Sequence, residues 1–251
     1  MNFGKNSVLE FVIGLLITLT ATQSFATEKI TLPRLIQANY EVTKNGQPFA
    51  KVKDQFTITG NTYSVESVTK GIGVYALLGE RKLISKGEVN AEGLKPNHFE
   101  LHQGDNVKKS LFADFDWAKN TLNMTVKGKI KTAALVAGTQ DLASYAYQFM
   151  YMEQPFKDSV TVKLTTGKKL NIYNYAIANE FETIEITSGD SPVIYKTLRL
   201  TEHDATEANA EKSDSKSLWL SPEHYYLPVR ILLVDESDQK IEQTLTSLHV
   251  E

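Results

Sequence analysis

The chain has 251 residues, of which 41% are hydrophobic and 23% charged, a globular composition that excludes wholesale disorder. Its 27 Lys+Arg against 30 Asp+Glu leave a net charge of −3, so bulk charge gives no reason to expect nucleic acid as a partner. Cysteine is absent, which excludes disulfides, thiolate metal ligands, a cysteine nucleophile and a lipid-modified N-terminal cysteine.

The first segment reads as an address. Lys5 precedes an apolar run of ten residues, Phe11–Thr20 (FVIGLLITLT). That is well short of the roughly 20 residues a membrane-spanning helix needs. Ser24 and Ala26 put small residues three and one positions before a cut after Ala26. Residues 1–26 are therefore expected to be a signal peptide cleaved between Ala26 and Thr27, with an uncleaved anchor as the alternative. The remainder, 27–251, is expected to be a single β-rich domain with no transmembrane segment. A chain of that size buries a core without covalent staples. Export without cysteine points to the bacterial periplasm.

From Ala38 onward the chain alternates with period two between turn residues. Turns are expected at Asn45-Gly46, Gly60-Asn61, Glu92-Gly93, Gly104-Asp105, Lys119-Asn120, Thr166-Gly167, Gly189-Asp190 and Ser237-Asp238. In Ser159–Thr166, Val160, Val162 and Leu164 face one way and Thr161, Lys163 and Thr165 the other. Thr183–Ser188 alternates in the same manner, and Val229–Val234 is apolar on both faces. Leu32–Gln37 and Gly73–Leu78 read as short helices or turns. One stretch breaks the rhythm: in Thr139–Glu153, Leu142, Tyr145, Ala146, Phe149 and Met150 recur at helical spacing, with Thr139 or Asp141 as cap and Pro155 beyond the end. Residues 202–217 form an acidic stretch without large apolar side chains up to Ser217, expected to be a mobile loop. The fold class is all-β, mainly antiparallel: a curved sheet, incomplete barrel or meander with one central amphipathic helix on its concave face.

Five phrases in order resemble the bacterial family called domain of unknown function 3108. They are Asn39–Gly46 (NYEVTKNG), Ser85–Pro96 (SKGEVNAEGLKP), Ala113–Asp116 (ADFD), Thr139–Ser144 (TQDLAS) and Trp219–Arg230 (WLSPEHYYLPVR). The similarity spans roughly Ala38 to His249. Glu223, where an aspartate is expected, and the long acidic loop before Trp219 depart from the pattern. The resemblance implies an exported bacterial protein and supplies no catalytic residue. The matching residues explain themselves as structure: Gly93 and Pro96 for a tight turn, Asp116 for a turn start, Asp141 for a helix N-terminus.

Side-chain chemistry is sparse. His98 and His102 share a strand face but lie about 13 Å apart, too far to chelate one metal unaided. Ser221 and His224 flank Pro222 and so read as a turn. Gly71-Ile72-Gly73 lacks the third glycine of a dinucleotide loop. No catalytic residue, metal site or cofactor is expected. The apolar loop around Val74, Tyr75 and Leu78 belongs either to the core or to the mouth of a groove. Tyr147 and Tyr151 share the helix face away from Leu142 and Ala146. These five residues, Val74, Tyr75, Leu78, Tyr147 and Tyr151, are the candidate ligand contacts. The first functional expectation is a non-catalytic exported envelope protein that binds an apolar or lipid-like ligand. A structural or assembly factor acting through contacts with another envelope protein is the second. A hydrolase of envelope glycans or esters is the third.

Overall fold

The protein is described here by a computed structural model covering residues 32–104, 106–154, 156–188, 191–203 and 215–251. The expected signal peptide, the turn at Gly189-Asp190 and most of the expected 202–217 loop lie outside these residues. The strands run in chain order as β1 (Leu35–Lys44), β2 (Gln47–Thr59), β3 (Thr62–Gly71), β4 (Arg81–Asn90), β5 (Gly93–Gln103), β6 (Leu111–Asp116), β7 (Thr121–Val126) and β8 (Lys129–Ala134). There follow β9 (Gln140–Asp141), the helix α1 (Tyr145–Gln148), β10 (Ser159–Thr165), β11 (Leu170–Ile177), β12 (Glu182–Ser188), β13 (Ser191–Glu202), β14 (Ser215–Ser221), β15 (Leu227–Val234) and β16 (Lys240–Val250).

Hydrogen-bonded neighbours follow the order β8-β7-β6-β5-β4-β3-β2-β1-β16-β15-β14-β13-β11-β10-β9, with β12 added to β13. Every pairing is antiparallel except the two-residue contact of β9 with β10. The chain ends meet mid-sheet, where β1 pairs with β16. The turn residues chosen by the sequence explain the hairpins. Asn45 and Gly46 both adopt positive φ (50° and 78°), the requirement of the tight turn whose twist matches its flanking strands.

Among the described residues the sheet stays open, so of the expected forms the unclosed antiparallel sheet holds and a closed barrel does not. Its two ends, β8 and β9, share no ladder among the described residues. The reason is local: β9 has two residues, and β8 is exposed along nearly its whole length and carries two lysines. The ends nevertheless approach through side chains. Thr165 on β10 donates to Met124 Sδ on β7 at 3.5 Å. Gly167, in the β10–β11 turn, sits against Phe99 and Leu111, where a Cβ would meet both at 3.1 Å.

The inward row of each strand makes the core. On β2 it is Ala50, Val52, Asp54 and Phe56, while Lys51, Lys53 and Gln55 point outward. Ile36, Phe56, Tyr63, Val65, Phe99, Phe115 and Leu122 pack against Tyr147 and Met150 of the central segment. On β14, Leu218 and Leu220 join Phe149 and β10, whereas Trp219 on the other face packs with Tyr195 and Val229.

The central helix is shorter than its spacing suggests. Gln140 and Asp141 are drawn into β9, and Asp141 Oδ1 accepts the N–H groups of Ala143 and Ser144, both at 2.9 Å. Regular helix therefore begins only at Tyr145 and passes into a 3-10 turn over Phe149–Tyr151. Aromatic side chains lose rotamer freedom in a helix, which favours early termination. Leu32–Gln37 also departs from expectation, because pairing with β2 and β16 extends Leu35 onward as strand. Gly73–Leu78 is a 3-10 turn, as read.

Candidate functional site

A recess of about 230 Å³ lies between the concave face of the sheet and the central segment. Leu142, Ala143, Tyr145 and Ala146 roof it, and its floor is formed by inward side chains of β1 to β4 and β14 to β16. Three of these are acidic or basic: Asp54, Arg81 and Lys216. Lys216 and Leu233 also line a wider groove of about 810 Å³, bounded by Leu170, Ile172, Tyr173, Val234 and Ile241. The recess and the groove therefore adjoin at these two residues.

Asp54 occupies a position where β2 alternation calls for an apolar residue. Its Oδ1 is buried without a hydrogen-bond partner among the described residues. Burial raises its pKa from 3.8 to about 6, against a hydrogen bond from Ser67 that favours the ionised form. Its charge, after the larger effect of burial, also helps raise the hydroxyl pKa values of Tyr40, Tyr145 and Tyr147. Arg81 opens the inward row of β4. Burial lowers its pKa, and no carboxylate ion-pairs with it among the described residues. Lys216 lies between two rings, 5.2 Å from the centroid of Tyr145 and 5.3 Å from that of Tyr173. Burial lowers its pKa, opposed by Tyr173 and Glu202. Cation–π contact compensates part of the lost hydration.

The five residues chosen from sequence do not converge. Val74 and Leu78 are solvent-exposed, so their loop is not core. Tyr75 packs on Phe49 at 4.6 Å between ring centroids. Tyr147 points inward, stacked on Phe56 at 4.7 Å, because the short helix turns that face to the sheet. Tyr151 is half-buried beside Gly93. Of the pair Tyr147 and Tyr151, Tyr147 alone is raised in part by the charge of Asp54. Asp54, Arg81 and Lys216 were missed, although Asp54 carried a signal: a carboxylate between Val52 and Phe56 on an otherwise apolar row.

A second polar group joins two of the phrases that carry the family resemblance. Ser85 Oγ donates to Asp141 Oδ2 at 2.6 Å and meets Tyr63 Oη at 2.9 Å. Burial pushes Asp141 up to about 6, against hydrogen bonds from Ser85, Ser144 and Ala143. Beside it, Gln148 accepts from Leu94 N at 2.8 Å and donates to Glu92 O at 2.9 Å, clasping the Gly-Leu-x-Pro turn. These contacts are buried or spent on backbone, and they hold the central segment on the sheet.

His98 and His102 are bridged by Glu100, which meets His98 Nε2 at 3.2 Å and His102 Nε2 at 2.6 Å. Hydrogen bonding from His102, chiefly, lowers the Glu100 pKa. Among the described residues no group of three such side chains is arranged to hold a metal ion. Ser221 Oγ meets His224 Nδ1 at 2.9 Å, but Ser221 is 0% exposed and so unreachable by a substrate. This pair secures the turn in which Tyr225 and Tyr226 both adopt φ of 57°.

The family model described as Protein of unknown function (DUF3108) matches residues 39–246. No curated protein matches the chain.

Proposed function

The chain belongs to the DUF3108 family, and from that premise we propose that it is a non-catalytic exported envelope protein that binds an amphipathic, lipid-like ligand between its sheet and its central segment. The observation that carries this reading is that a charged recess and a larger groove share Lys216 and Leu233 in their walls. The two parts suit different halves of one molecule. A recess of 230 Å³ corresponds to about eight water volumes, enough for a polar headgroup and too small for a long chain. The groove has the size of an ordinary small-molecule site, and Leu170, Ile172, Leu233 and Ile241 supply apolar wall. Arg81 and Lys216 outnumber Asp54, so the favoured headgroup is anionic, a carboxylate or phosphate.

Export rests on the N-terminal pattern of Lys5, the apolar run and Ser24-Phe25-Ala26, and the periplasm is the compartment proposed. Native mass spectrometry of the protein purified from a bacterial host tests the binding reading. Co-purified or added fatty acid or lysophospholipid is expected on the wild-type chain and lost in the double variant Arg81→Gln, Lys216→Gln. Absence of any such adduct on folded wild-type protein defeats the proposal.

A further inference from the structure

We propose that the 3-10 loop between β3 and β4 is a membrane-docking tip that seats the protein on an anionic phospholipid surface. Val74, Leu77, Leu78 and, in the neighbouring β5–β6 turn, Val107 are 76, 91, 61 and 80% exposed. Large apolar side chains this exposed and this close together are unusual on a monomer surface.

The loop is held rigidly outward. Ile72 N donates to Phe49 O at 2.9 Å, and the Tyr75 ring packs on Phe49. Gly104 N donates to Glu80 O at 2.6 Å and Gln103 Nε2 to Leu78 O at 3.1 Å, tying the two turns together. The apolar side chains are therefore presented by a braced backbone.

The surroundings choose the occupant. In an antiparallel meander alternate turns share one end, so the β3–β4, β5–β6 and β7–β8 turns lie together. The β10–β11 turn joins them, because Gly167 packs on Leu111 and Phe99. These turns carry Lys108, Lys109, Lys127, Lys129, Lys168 and Lys169, all exposed and none in an ion pair among the described residues. Of the acids nearby, Glu80 pairs with Lys70 at 3.1 Å, and Asp105 and the acidic residues between β13 and β14 lie outside the described residues. Asp235, Glu236 and Asp238 occupy the β15–β16 turn, from which β1 and β2 separate the tip. Apolar side chains amid lysines match the boundary between acyl chains and anionic headgroups.

The test uses the chain from Thr27, which retains the compact unit Leu32–Glu251 and omits the apolar run Phe11–Thr20. Sedimentation with phosphatidylglycerol-containing vesicles is expected to carry the protein down, and phosphatidylcholine vesicles to leave it in solution. Leu77→Asp with Leu78→Asp, and separately Lys108→Glu with Lys109→Glu, should each lower binding roughly tenfold or more while the melting temperature is unchanged. Leu77→Ser is the milder variant if the first does not fold. Arg81→Gln with Lys216→Gln should retain vesicle binding, which separates this proposal from the ligand reading. No binding to anionic vesicles, or binding indifferent to Leu77 and Leu78, overturns it. A protein crosslinked through position 77 in the absence of vesicle binding also overturns it.

Discussion

Asp54 and Asp141 are both buried carboxylates held near a pKa of about 6, yet they predict opposite responses to mutation. Folding raises each from 3.8, so between these values the native state holds more protons than the unfolded chain. Their contribution is then most favourable below pH 4 and is lost as pH rises toward 6. A rise of about two units corresponds to roughly 3 kcal/mol for a fully buried group. Asp54→Asn removes that penalty at one site where an oxygen has no partner. It is expected to stabilise the protein at pH 7.5 by about 1–3 kcal/mol and to flatten the stability profile, measured by urea unfolding at several pH values. Asp141→Ala should instead destabilise by about 2–4 kcal/mol, because two backbone N–H groups and Ser85 lose their acceptor in the interior. Equal and small effects from the two substitutions would contradict the difference in their hydrogen bonding.

At the level of elements, the decisive contacts are those that fasten the central segment to β4 and β5. Gly87 passes so close to β5 that a Cβ would collide with Lys95 O and press on the Tyr63 ring. Backbone cannot yield as a side-chain tip does, so Gly87→Ala should lower stability by about 1–3 kcal/mol in a denaturant melt. Gln148→Ala removes both bonds to the Gly-Leu-x-Pro turn and should cost about 1–2 kcal/mol, with the sheet intact by circular dichroism. Much at this scale was readable from residues alone. The period-two rows of β2 and β10 and the Asn45-Gly46 turn are local matters. The helix was overextended because its spacing cannot reveal that Gln140 and Asp141 have partners in β10.

For the whole molecule, the sheet is open among the described residues, its last strands β8 and β9 sharing no ladder. Cleavage after Ala26 is the matching prediction for export. Intact mass of protein taken from the periplasmic fraction of an expressing bacterium should begin at Thr27. Recovery of the uncleaved chain from the cytoplasm would contradict the localisation.

The amino-acid order by itself determined the strands, their turns and the family phrases, since each depends on residues a few positions apart, and it is the whole ground of the proposed N-terminal address. The meeting of Asp54, Arg81 and Lys216, and of Ser85 with Asp141, was decided only by tertiary structure. Alternation tells which face of a strand a side chain takes; the curl of the sheet and the seating of the central segment decide what that face encounters.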